Sequence, residues 1–228
     1  MNNRPFLTSL ILLAMLGPLP AADAPKPPFV KAAPAGTTWS VEIRNRALDK
    51  PTDAPAEDPG APKLVVSVPV KISCHSGTNG VQVYNTAFSD GKYDEYYVFK
   101  RQMLRKYDGS EKIAVLSAPE AFPGLEWLPS GGTYVGEDAV DSKPCYKFKV
   151  TPEYLAAIPL LPETRYFAWI EIATGYPVQV QTDDILYRYS AVEPWNESVE
   201  LPPAYQAALK KIAQQQRALE VMRAQNAR

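Results

Sequence analysis

The 228-residue chain carries 24 Lys and Arg against 25 Asp and Glu, a formal net charge of −1, with 46% hydrophobic residues. Such a balance supplies no global field to draw the chain onto nucleic acid or an anionic membrane, while the length and apolar fraction suit one domain of ordinary size. The 23 prolines, roughly double the usual share, gather in residues 18–34 and 51–62 and exclude helix there.

Residues 1–24 read as a secretory signal. Arg4 gives a short basic start, residues 6–16 (FLTSLILLAML) an apolar stretch, and Gly17-Pro18 a break ahead of the small residues Ala21, Ala22 and Ala24. A bilayer span takes about twenty apolar residues, so the expected product is exported, periplasmic or extracellular. Export gives Cys74 and Cys145 two readings. An oxidising compartment favours pairing them, and the closed loop would stabilise by roughly 4 kcal/mol in chain-entropy terms. The other reading is two buried free thiols.

Residues 25–38 form a Pro/Ala-rich tether without periodicity. The β domain, residues 39–200, starts where Trp39-Ser40-Val41-Glu42-Ile43-Arg44 alternates apolar and polar. Residues 51–62 (PTDAPAEDPGAP) read as a solvated loop. From Leu64 the alternation persists, with Val66, Val68, Val70 and Ile72 on one face. Pro69 cannot donate to a ladder, so it implies an edge or a bulge. Asn79-Gly80, Asp90-Gly91 and Asp108-Gly109 are type I′ turn signals separating strands 81–88, 93–100 and 112–116. Short reversals of this kind make an antiparallel meander.

Residues 145–150 (CYKFKV) alternate with Tyr146, Phe148 and Val150 inward. Strict alternation puts Cys145 with the lysines and Cys74 with the valines, so a bridge between them needs a bulge or a strand end. Residues 151–157 allow a short helix with Thr151 as N-cap and Pro152 at the first position. Residues 165–172 are a strand with bulk on both faces. Thr174-Gly175 turns it into 177–182, where Val178 and Val180 oppose Gln179 and Gln181, and 185–190 continues that strand or forms the last one. Residues 201–228 change period. Tyr205, Leu209, Ile212, Leu219 and Met222 recur at helical spacing, predicting a C-terminal amphipathic helix.

Catalytic patterns are missing from the sequence. His75 is the single histidine and sits beside a turn, and no nucleophile elbow, zinc-helix motif or phosphate-cradling glycine pattern occurs. Two cysteines and one histidine lack ligand-pair spacing. Asp138 and Asp141 are candidate calcium ligands in an expected loop. Tyr93, Tyr96, Tyr97, Phe99 and Tyr107 form either a stacking surface for glycans or peptides or ordinary cross-strand pairs. The reading is non-enzymatic, with no cofactor.

Three strings carry a resemblance: Tyr134-Val135-Gly136-Glu137-Asp138-Ala139-Val140, Pro144-Cys145-Tyr146-Lys147-Phe148-Lys149-Val150, and Trp169-Ile170-Glu171-Ile172-Ala173-Thr174-Gly175-Tyr176-Pro177. Together they resemble the outer-membrane lipoprotein-sorting proteins of the LolA-like superfamily, over about a quarter of the chain. Glu171 stands where the motif carries Asp, and a Pro-rich tether stands where the family places an early helix. The resemblance implies a mainly β fold, a curved antiparallel sheet in an open half-barrel, whose concave apolar face takes lipid acyl chains. On that basis Trp127, Phe148, Trp169 and Val180 are the expected ligand-binding residues, and lipid or lipoprotein the expected partner. The alternative is an envelope interaction subunit docking through residues 204–228.

Overall fold

The structure is a computed structural model that describes residues 24–46, 67–106, 112–118, 122–151, 153 and 166–226. The expected signal segment, the 51–62 loop, Tyr107, the Asp108-Gly109 turn and nearly all of the expected 151–157 helix lie outside these.

Twelve strands form one antiparallel sheet: β1 (Thr37–Asn45), β2 (Pro69–Ser76), β3 (Gln82–Phe88), β4 (Tyr93–Phe99), β5 (Gln102–Lys106), β6 (Ile113–Ser117), β7 (Gly132–Val140), β8 (Lys143–Val150), β9 (Phe167–Glu171), β10 (Pro177–Gln181), β11 (Ile185–Tyr189) and β12 (Glu193–Pro194). The spatial order is β6-β5-β4-β3-β2-β1-β11-β10-β9-β8-β7, with β12 paired to the start of β1. Two meanders therefore meet at β1, where Val41 lies opposite Ile72 on one side and Tyr189 on the other. The edge strands β6 and β7 do not pair, and the sheet is a curved, open half-barrel. A single-turn helix α1 (Leu128–Gly131) precedes β7, and a long helix α2 (Pro203–Asn226) ends the described chain.

Three bulges supply local bending, because an extra residue in one strand kinks it and increases its twist. The register shifts between Pro69 and Lys71, between Tyr134 and Gly136, and between Pro177 and Gln179. The first of these fulfils the expectation for Pro69. Val70 and Val135, the extra residues, are exposed. At the third bulge Val178 and Val180 part company. Val180 stays in the inner core, whereas Val178 joins a small cluster with Cys145 and Trp169.

Several expected turns take another form. Asn79-Gly80 and Asp90-Gly91 are not type I′, because only the glycines have positive φ, 78° and 81°. Each closes a three-residue loop: Gly80 N–H bonds Gly77 O at 3.0 Å while Gly77 N–H bonds Val81 O at 2.8 Å, and Gly91 and Phe88 repeat the pattern. Two-residue turns with both φ positive fall instead at Lys100 (49°) and Arg101 (64°), between β4 and β5, and at Asp141 (49°) and Ser142 (67°), between β7 and β8. The Lys100-Arg101 turn lacks the usual Asn/Asp-Gly signal, so β5 is not evident from the sequence. Residues 185–189 form their own strand, paired to both β10 and β1.

Both faces of the sheet are covered. The inner face holds the main core, with Trp39, Val41, Phe148, Val150, Ala168, Ile170 and Val180 packed beneath Phe122, Leu125, Trp127 and Leu128. These last four belong to the connection between the edge strands β6 and β7, which must cross the sheet to join them. On the outer face of the first meander, Val199 and Tyr205 pack against Val81, Tyr97 and Leu104. Helix α2 is therefore anchored by its first turns only, and residues 213–225 are exposed throughout.

Candidate binding hollow

The inner-face core is capped by two segments without regular structure. Residues 122–127 are pinned by main-chain acceptors. The Trp127 indole N–H donates to Gly124 O at 3.0 Å, the Tyr166 hydroxyl to the same carbonyl at 3.3 Å, and the Tyr189 hydroxyl to Pro123 O. Gly124 takes φ 84°, where other residues are strained, and a Cβ there would press on the Tyr187 ring at 3.3 Å, so glycine suits this close approach to β11. The N-terminal segment lies alongside. Lys31 N–H bonds Gly175 O at 2.9 Å, the Phe29 ring sits 4.7 Å from Phe148, and Val30 and Ala33 pack on the same core.

Two cavities open here, the smaller between the two segments themselves and the larger between them and the sheet. One, about 370 Å³, is walled by Pro27, Pro28, Phe29, Val30, Lys31, Ala32, Phe122, Leu125, Leu128 and Pro129. The other, about 470 Å³, is walled by Ala32, Ala33, Trp39, Gly80, Gln82, Tyr84, Val98, Lys100, Arg101, Ala118 and Phe122. Both volumes lie in the range of small-molecule sites. Ala32 and Phe122 line both, so the cavities adjoin.

Two of the larger cavity's lining residues, Trp39 and Tyr84, belong to one cross-strand row. Trp39 pairs with Cys74, Cys74 with Tyr84, and Tyr84 with Tyr96. The small thiol lets Trp39 and Tyr84 meet edge-on at 5.8 Å, and Tyr84 stacks on Tyr96 at 4.7 Å and 5°. Burial pushes the Cys74 thiol up to about 12 and raises both tyrosines, so all three stay neutral at physiological pH. Trp39 and Tyr84 offer the cavity aromatic surface, and the Cys74 thiol, fully buried behind them, offers no nucleophile.

Of the four residues expected to bind ligand, Trp127, Phe148 and Val180 are buried together in the inner core, beneath the walls of the cavities. Trp169 is not with them. It faces the other side of the sheet, where its indole N–H donates to Asp138 at 3.0 Å and Lys147 lies 4.9 Å over its ring. Neither cavity is lined by any of the four. The lining residues that the sequence reading missed, Phe29, Val30 and Ala32, fall in a segment with no periodicity to flag them.

Other expectations separate in the same way. The Cys74–Cys145 disulfide is not formed: both are free, buried thiols, Cys74 in the inner core and Cys145 in the outer cluster. The sheet between them prevents their approach. Asp138 lies in β7, bound to Lys147 at 3.0 Å, while Asp141 lies 4.0 Å from Arg188, so the two carboxylates do not converge. Among the described residues no group of three or more His, Cys, Asp or Glu is placed to hold a metal. Tyr96 and Tyr97 serve opposite faces, Tyr97 packing on Tyr205 at 4.9 Å, and Tyr93 is 80% exposed, so they form no single stacking surface. His75 is half-buried against Trp195, its Nδ1 3.1 Å from the Thr38 hydroxyl.

The sequence matches no family profile and no curated protein. Similar solved structures include MucB in the Pseudomonas aeruginosa MucA/MucB complex, with 14% identity, 72% of this chain and 53% of that chain covered, and a TM-score of 0.37. The Mycobacterium tuberculosis lipoprotein LppX shares 15% identity over 72% of this chain and 89% of its own, with a TM-score of 0.37. A LolA superfamily protein from Nitrosomonas europaea shares 8% identity over 74% and 88%, with a TM-score of 0.27. The chain spans about half the length of the MucB structures it matches.

Proposed function

We propose that this chain is an exported, non-enzymatic binding protein that takes an apolar ligand, a lipid or the acyl chain of a lipoprotein, in the hollow on the inner face of its sheet. The observation that carries the reading is the pair of adjoining cavities at Ala32 and Phe122, one of them walled almost wholly by proline and aliphatic or aromatic side chains. Apolar walls of this kind bind tails by area removed from water and not by directed bonds. Trp127, Phe148 and Val180 act as the packed floor beneath the walls. Export rests on the apolar stretch at residues 6–16.

The test is organic extraction of protein purified without detergent, followed by mass analysis of the extract. Lipid recovered in proportion to protein supports the reading, while a lipid-free protein that also fails to take up added fatty acid contradicts it.

A second role is favoured by helix α2, whose residues 213–225 project from the domain with Leu219, Val221 and Met222 exposed. We propose contact with an envelope protein through this end. Cross-linking from Met222 to one defined partner supports it, and the absence of any cross-link opposes it.

A further inference from the structure

The two adjoining cavities share a boundary, and the residues on it are unequal. Ala32 and Phe122 line both. Ala32 brings a single methyl group from the N-terminal segment, whereas Phe122 brings a whole ring from the segment that crosses the inner face. The ring is the larger obstacle to a chain passing from one cavity into the other.

That ring is also held in place. Phe122 is only 6% exposed, and its ring lies 4.7 Å from Trp39 and 6.0 Å from Tyr189, meeting the second edge-on at 88°. Both neighbours stand on paired strands, Trp39 opposite Cys74 and Tyr189 opposite Val41. The main chain beside the ring is tied as well. Leu125 N–H donates to Phe122 O at 3.0 Å, and the Tyr189 hydroxyl donates to Pro123 O. Swinging the ring aside would forfeit both aromatic contacts inside a close-packed core. Phe122 is a fixed wall.

We propose that Phe122 sets the length of the tail that the hollow takes: a single straight acyl chain fills the cavity bounded by Phe29, Leu125 and Leu128, about 370 Å³, and ends against the ring. The assignment rests on the apolar-ligand reading above and adds the limit on chain length. Each methylene that still enters tightens binding about fourfold, and those beyond the ring add nothing. Phe122→Ala joins the cavities and opens the space beyond, about 470 Å³, to the same tail.

The experiment measures the affinity of octanoate, decanoate, laurate, myristate and palmitate by calorimetry, below micelle-forming concentrations, on the natural chain, Phe122→Ala and Phe122→Leu. In the natural chain affinity is expected to climb about fifteenfold per added pair of carbons and to level off within the series. In Phe122→Ala the levelling is expected at least one acid later. Phe122→Leu keeps an apolar side chain in the core, and the longest acids are expected to bind it tighter than they bind the natural chain. Circular dichroism checks folding, and if the alanine variant does not fold the leucine variant decides. Affinity that climbs to palmitate in the natural chain, or levelling at the same acid with the same affinities in the folded variants, overturns the role of Phe122 and leaves the apolar reading standing. Failure of every acid to bind the natural chain overturns the two together.

Discussion

The hydroxyl of Tyr189 on β11 donates to the carbonyl of Pro123, tying the middle of the sheet to the segment that crosses its inner face. Tyr189 is half-buried against the inner core, and desolvation raises its hydroxyl well above the ordinary value, which keeps it protonated and donating. Tyr189→Phe leaves the carbonyl of the half-buried Pro123 without that donor, a loss of about 1 kcal/mol. The expected result is a lower urea midpoint with an unchanged far-ultraviolet circular dichroism spectrum.

The two thiols give a direct chemical prediction. Cys74 is pushed up to about 12 and Cys145 is also raised, both chiefly by burial, and thiolate is the reactive form. A thiol reagent at mildly alkaline pH is expected to modify neither in the folded protein and both after denaturation. A reductant is expected to leave the melting temperature unchanged. A reductant-sensitive melting temperature would show that the pair does bridge.

Asp138 couples stability to pH on the outer face. The Trp169 indole N–H and then Lys147 hold its carboxyl down at about 2, from the ordinary 3.8. A depressed folded pKa means the contribution is present above about 4 and disappears as pH falls toward about 2. Asp138→Asn is therefore expected to be less stable than the natural chain at neutral pH. The difference in urea midpoint, followed by tryptophan fluorescence, should narrow over that acid window.

Helix α2 divides into an anchored and a projecting part. Tyr205 is buried against Tyr97, so Tyr205→Ala is expected to cost about 3 kcal/mol, at the low end for a buried aromatic. Removing residues 213–228 is expected to leave the melting temperature within a degree or two, because residues 213–225 are exposed throughout. Differential scanning calorimetry of the two variants checks both.

The legible parts of this fold were those with a local period. Val41, Ile72 and Phe148 announce the inner face by alternation, and Tyr205 and Leu209 announce the start of the last helix. Bulges defeat that logic, since one extra residue moves everything beyond it to the other face. Val178 left the side of Val180 for this reason. In residues 165–172, with bulk on both faces, alternation alone could not tell which side Trp169 served. The Lys100-Arg101 turn hid β5 because its geometry is imposed by the paired strands and not by glycine. The hollow itself was least legible. Its walls come from Phe29–Ala32 and from Phe122–Pro129, irregular segments whose partners are set only when β6 and β7 reach opposite edges of the sheet.

The most direct test of the account is a titration with cis-parinaric acid, whose fluorescence rises on entering an apolar site, against the natural chain and Ala32→Trp. Ala32 lies outside the strands and helices, exposed, where both cavities meet, so an indole there fills the hollow without disturbing the core. The account predicts saturable binding that Ala32→Trp weakens on the order of tenfold. Binding that never saturates, or that is the same in the two proteins, would contradict it.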